Sequence, residues 1–126
     1  MSTAIVLFAH GSRDATWRVP FEAILKEVTA RHDGPVALAF LEHMTPDFSE
    51  TVSHLIALGA TQIRVVPLFL AAGGHIRSCL PRLVSQAQSD HGNVHFSVLP
   101  PLGDSPVLIR AFADFALNPF EFMCEL

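Results

Sequence analysis

Hydrophobic positions along the chain alternate between two patterns. Residues 4–9 (Ala-Ile-Val-Leu-Phe-Ala) form an unbroken apolar run, the mark of a strand covered on both faces. Trp17, Phe21, Ile24, Leu25 and Val28 then recur at the spacing of one helix face. Pro20 falls in the first turn of that helix, where a missing N–H costs least. Arg31 and His32, followed by Gly34-Pro35, stop it. A second apolar strand is expected over 36–41. Asp47 caps a second helix with Phe48, Val52, Leu55 and Ile56 on its inner face, and Gly59 closes it. Residues 62–68, rich in β-branched side chains, give a third strand. The next helix carries Ile76, Leu80, Leu83, Val84 and Ala87 on one face; Ser78 as its N-cap puts Pro81 in the first turn. A fourth strand covers 94–99. Ser105-Pro106 opens a last helix that runs to about Leu117, and Asn118-Pro119 stops it.

The order β-α-β-α-β-α-β-α predicts a doubly wound α/β fold, a four-stranded parallel sheet with right-handed crossovers and helices on both faces. A chain of 126 residues fits one domain, here 1–118, leaving an apolar tail, 119–126, to which no role is assigned. Half of the residues are hydrophobic and 16% are charged. Such a composition calls for a sheet buried on both faces, or for apolar surface that meets a partner.

Charge and composition narrow the functional classes. A net charge of −4 gives no electrostatic footprint for nucleic acid. No apolar run reaches the roughly 20 residues that span a bilayer, so no membrane partner is expected. The first apolar stretch lacks a basic segment before it and does not read as a signal peptide. Cys79 and Cys124 form neither a metal-type spacing nor a disulfide framework, which suits reduced thiols in a cytoplasmic protein. Seven histidines with no tyrosine raise the prospect of metal or proton chemistry only modestly.

Ligands of open α/β sheets bind beyond the carboxyl ends of the strands. The loops there are 10–14, 42–46, 69–77 and 100–104. His10 ends the first strand, Glu42 ends the second, and His75 follows the third behind Gly73-Gly74. Three loops of one edge can thus aim two imidazoles and a carboxylate into one crevice. That N,N,O set suits a divalent transition metal held with open coordination positions; either imidazole could instead serve as a base. A histidine at a strand end often does no more than bond a carbonyl, and spacing alone leaves that alternative open. Arg13 and Arg77 stand beside His10 and His75. Each alone reads as solvated surface, but both at one mouth suggest an anionic ligand.

The His10-Gly11-Ser12 element also fits a backbone anion site at a helix start, or an activated serine. No Gly-x-Ser-x-Gly elbow supports the latter. The absence of a Walker motif and of Gly-x-Gly-x-x-Gly argues against nucleotide use. The other histidines read as bland. His54 pairs in solvent with Glu50 four residues earlier, His32 suits a helix C-terminus, and His91 and His95 flank a turn far from the strand carboxyl ends. His43, next to Glu42, faces the other way in extended backbone.

Several of these stretches resemble a known family. Phe8-Ala9-His10-Gly11-Ser12-Arg13, Phe40-Leu41-Glu42 with Met44-Thr45-Pro46, Val65-Val66-Pro67-Leu68-Phe69-Leu70 leading into Gly73-Gly74-His75-Ile76-Arg77, and Pro100-Pro101-Leu102-Gly103 are similar to the small sirohydrochlorin chelatases. These are short, ATP-independent relatives of the cobalt- and ferrochelatases. The resemblance implies that His10 and His75 bind the metal and help remove the pyrrole protons, and that Glu42 assists. It implies sirohydrochlorin and a divalent metal as partners, Co2+ first and Fe2+ or Ni2+ as alternatives, with no permanent cofactor. Ser12, Arg13, Gly73, Gly74 and Arg77 are the implied substrate-binding positions. Longer members contain two such halves, so a single half implies a homodimer. A non-catalytic metal- or tetrapyrrole-delivery protein using the same histidines is the rival reading. A phospho-ligand domain built around Ser12 is a third.

Overall fold

A computed structural model of the chain describes residues 3–71 and 73–118, with every side chain among them but that of His75. The predicted tail, 119–126, and Cys124 within it lie outside the described residues. Four parallel strands stand in the order β2-β1-β3-β4: β1 (Ala4–Ala9), β2 (Val36–Phe40), β3 (Gln62–Pro67) and β4 (His95–Val98). The central strand β1 pairs with β2 on one side and β3 on the other. All six of its residues are buried, which is why its sequence shows no alternation.

The helices divide between the two faces. α1 (Val19–Arg31) lays Phe21, Leu25 and Val28, with Trp17 from the 3₁₀ turn Ala15–Arg18, on Ile5, Leu7, Leu38 and Phe40. α2 (Phe48–Ala57) and α3 (Gly74–Asp90) cover the opposite face, around Val6, Phe8, Ile63 and Val65. Phe8 meets Phe48 edge-on at 5.4 Å and Phe69 at 5.9 Å between ring centres, the offset geometry aromatic rings prefer. Ile24, expected on the inner face of α1, is instead 38% exposed. It sits at the rim of the apolar stripe, where the helical period has carried it away from the sheet.

Local capping agrees with the sequence for two helices. Ser105 Oγ accepts from Leu108 N at the start of α4 (Pro106–Leu117). Asp47 Oδ1 accepts from Glu50 N at 2.8 Å, and Asp47 N donates back to Glu50 Oε1 at 3.2 Å, a reciprocal capping box. Glu50 is therefore engaged at the helix start. The solvated pair expected with His54 is not formed among the described residues. Asp47→Ala removes the cap, and a loss of about 1 kcal/mol of unfolding free energy is expected, measured by urea denaturation.

The third helix corrects the sequence reading. It begins at Gly74, not after Ser78, with Gly73 in extended conformation as N-cap. Arg77 N donates to Gly73 O at 2.9 Å, and Ile76 packs with Leu80 against the core. Packing of the half-buried Ile76 thus draws the helix start one turn upstream of the serine, whose hydroxyl bonds back to Gly74 O. Pro81 consequently lies inside the helix, where it has no N–H to give the Arg77 carbonyl. The loop after β3 is correspondingly short. His75 and Arg77 belong to the first turn of α3 and not to a loop before it.

α4 is the least integrated element. It meets the rest of the described chain chiefly through the turn Leu102–Asp104, and Val107, Ile109, Phe112 and Phe115 are all more than half exposed. The doubly covered sheet accounts for much of the apolar composition, and α4 adds further apolar side chains that are exposed. None of the described helices is long and apolar enough to cross a membrane.

Candidate metal and substrate site

β1 and β2 end side by side, and their last residues set the site. Glu42 N donates to His10 O at 3.0 Å, and Leu41 N to Ala9 O at 2.9 Å, extending the ladder one step past the strands. That step requires Gly11. Its φ is +98°, and a Cβ built there would stand 1.8 Å from the Glu42 carbonyl oxygen. Only a residue without a side chain lets the two loops close.

The closure brings two of the predicted residues together. His10 Nε2 lies 2.8 Å from Glu42 Oε1, with both side chains 42% exposed. The His10 ring also stands edge-on to Phe69, 6.4 Å between centres. A carboxylate on one imidazole nitrogen fixes the ring and its tautomer. The other nitrogen, Nδ1, has no partner among the described residues. The pair can thus orient a ligand imidazole, or converge on one cation once the hydrogen bond gives way.

The remaining predicted residues distribute around this pair. The backbone of His75 is placed in the first turn of α3, on the same carboxyl edge; its side chain is the one outside the described set. Gly73 and Gly74 form the start of α3, exposed and with open space where a side chain would stand. Arg77 lines an open apolar groove of about 500 Å3 with Phe69, Leu80, Val98 and Leu99. Ser12 and Arg13 line a different hollow, beside the 3₁₀ turn. Among the described residues, Arg13 and Arg77 thus line different hollows. Among the described residues no group of three or more His, Cys, Asp or Glu is arranged to hold a metal.

Two neighbours escaped the sequence reading. His43 adopts a left-handed backbone, φ +65°, and is not extended. Its Nε2 accordingly comes within 3.7 Å of Glu42 Oε2, on the same carboxylate as His10. The Met44-Thr45-Pro46 turn that follows was the available signal that extended geometry would not continue. Arg18 sits over the Phe40 ring, 5.0 Å from its centre, and its NH1 donates to Thr45 O at 3.4 Å. Nothing in the helical pattern set it apart from a surface arginine. Asp14 caps the 3₁₀ turn, and the Thr16 hydroxyl, then its N–H, hold that carboxyl below its ordinary pKa.

The loop after β3 is tied to the loop after β4. Gly103 N donates to Leu70 O and Leu102 N to Phe69 O, both at 2.8 Å. A Cβ at Gly103 would fall 2.2 Å from Leu70 O. The segment carrying Phe69 is thus anchored against β1 through Phe8 and against the β4 loop through its backbone.

Fold and site together define an open α/β protein with an imidazole–carboxylate pair beyond its central strand. The CbiX family model matches residues 4–116, and the chain belongs to that family. It is 38% identical over 82 residues to the sirohydrochlorin cobaltochelatase of Saccharolobus islandicus (strain L.S.2.15), covering 64% of this chain and 62% of that one. The chain thus spans less than two thirds of the length of that curated relative. Among solved structures, the CbiX protein of Marinobacter aquaeolei VT8 superposes with a TM-score of 0.85 at 33% identity, covering 96% of this chain and 99% of that one. The sirohydrochlorin chelatase SirB of Bacillus subtilis subspecies spizizenii, in complex with cobalt, gives 0.81 at 28% identity. There, 94% of this chain corresponds to 51% of the SirB chain.

Proposed function

We propose that this protein inserts a divalent metal, Co2+ first, into sirohydrochlorin, with release of two protons. The observation that carries the reading is the His10–Glu42 pair at 2.8 Å, set at the carboxyl end of the central strand in a CbiX-family chain. The relatives named as sirohydrochlorin cobaltochelatase and the cobalt-bound SirB support the choice of substrate and metal. Fe2+ and Ni2+ accept the same ligand chemistry.

The metal is a substrate and must leave the protein. Imidazole and carboxylate ligands suit that, because they bind first-row divalent ions without a thiolate cage. His10 and His75 present the ion, with Glu42 as ligand or as the group that orients His10. Each pyrrole N–H that becomes a metal bond releases its proton to an imidazole or carboxylate, two for each divalent ion taken up. Bending the macrocycle exposes its nitrogen lone pairs and draws on binding energy from its periphery. Phe69 and the apolar groove behind it offer a surface for the ring. Ser12, Arg13, Gly73, Gly74 and Arg77 are the proposed contacts to its polar rim.

A second copy completes the cleft in this reading. The chain corresponds to about half of SirB, and the outward apolar face of α4 is available for association. Sedimentation equilibrium is expected to give twice the 13.7 kDa chain mass; a monomer at working concentrations would remove the dimer from the proposal.

The function is tested by mixing purified protein with sirohydrochlorin and Co2+ and following the absorption spectrum. Many turnovers per chain are expected. Stoichiometric binding without turnover would identify a delivery protein instead.

A further inference from the structure

A hollow of about 310 Å3 opens on the α1 side of the sheet's carboxyl edge. Ser12, Arg13 and Arg18 line it from one loop, and His43, Met44 and Thr45 from the other. It adjoins the His10–Glu42 pair through a single side chain, since Glu42 faces His10 with Oε1 and His43 with Oε2. A flat ligand centred over His10 would extend its edge toward this hollow.

The chemistry of the lining selects an anion with paired oxygens. Arg18 is held in place before any ligand arrives. It rests over Phe40, donates to Thr45 O, and has Glu22 Oε1 3.4 Å from its Nε. A guanidinium offers five N–H donors in a rigid fork. The Thr45 contact is the one side-chain hydrogen bond of Arg18 among the described residues, and its Nε is buried without a hydrogen-bond partner; the terminal N–H groups left over form a fork that suits a carboxylate. Arg13 has no hydrogen-bond or ion-pair partner among the described residues. Ser12 Oγ accepts from Asp14 N and keeps its own proton to donate. The nearby carboxylates are already engaged: Asp14 with Thr16, Glu22 with Arg18, Glu42 with His10.

We propose that Arg18 and Arg13, with the Ser12 hydroxyl, form a pocket that receives a peripheral carboxylate of the polycarboxylate macrocycle and thereby sets the ring's position over His10. The inference rests on the sirohydrochlorin reading and deepens it. It adds Arg18 to Arg13 as a carboxylate contact, in a hollow apart from the groove that Arg77 lines. Arg18 is the pre-set partner, and Arg13 adds a second fork from the exposed side.

The test is a binding titration of metal-free sirohydrochlorin, set beside its fully methyl-esterified form. Arg18→Gln is expected to weaken binding of the free acid roughly ten- to a hundredfold, the scale of a lost charge-assisted hydrogen-bond pair. Arg13→Gln should weaken it in the same direction, and Arg18→Lys should recover only part of the loss, because it keeps the charge and not the fork. The ester should bind the wild type weakly and be indifferent to all three substitutions. In turnover, the loss should fall on KM for sirohydrochlorin and not on KM for the metal. Because Arg18 also packs on Phe40, circular dichroism checks the fold of its variants; Arg13, exposed and unpaired, carries the test if they unfold. Free-acid binding that is unchanged in the folded variants would overturn the pocket while leaving metal insertion standing. A wild type that neither binds nor metallates sirohydrochlorin would overturn the functional reading, and this inference with it.

Discussion

His10→Ala is expected to lower the rate of metal insertion by between a hundred- and ten-thousandfold while leaving the protein folded. The size follows from the roles this imidazole combines. Removing a positioned proton acceptor costs about 10²–10⁴ in rate, and the same side chain is proposed to hold the ion. The fold should survive because His10 is 42% exposed on its side chain and its only polar side-chain partner among the described residues is Glu42. Substitutions at such positions shift stability by about 0.5 kcal/mol or less. Insertion followed by absorbance, beside a thermal melt, separates the two effects. Glu42→Gln should cost less, since an amide still reaches His10. The two losses should fall well short of additive in the double variant, as for residues acting as one unit. A His10→Ala protein that metallates sirohydrochlorin at the wild-type rate would end the catalytic role given to this imidazole.

Gly11→Ala is expected to be the most damaging single-methyl change in the chain, for a reason unrelated to side-chain chemistry. At φ +98° alanine is strained by about 1–2 kcal/mol. Its Cβ would also stand 1.8 Å from Glu42 O, so the two loops must part. Parting them breaks the Glu42 N to His10 O bond, which contributes roughly another 1 kcal/mol. The sum is about 2–3 kcal/mol, a fall in melting temperature on the order of 10 °C for a domain of this size. The folded fraction should also turn over at least about tenfold more slowly, because His10 and Glu42 no longer share a fixed separation. An unchanged melt and an unchanged rate together would contradict the role given to the loop closure.

The fold was legible where burial and period speak together. The apolar run of β1, the capping aspartate of α2 and the Ser-Pro start of α4 each read directly from sequence, because local preference and tertiary packing agree there. The start of α3 did not. Serine is a better N-cap than glycine by propensity, and proline favours a first turn, yet packing of the half-buried Ile76 against the core outweighed both. In the site, His10 and Glu42 were found from their places at strand ends, and the structure joins them. The identity of Gly11 was legible, but its necessity was not: that depends on a carbonyl thirty-one residues away along the chain. His43 was misjudged because one left-handed residue reverses the direction that strand alternation assigns. Arg18 was passed over because an arginine in a first turn has no sequence mark that tells a ligand contact from a solvated one.

The central position of β1 has a consequence for how the protein tolerates motion. Local openings begin where few apolar contacts hold an element and reach the fully covered strands last. His10 follows directly on a strand buried at all six positions and paired on both sides, whereas α4 rests mainly on one short turn. Fraying or exchange of the outer helix can therefore proceed while the imidazole keeps its bearing. The chain can remodel its periphery without disassembling the point at which, in the proposed function, the ion is handed over.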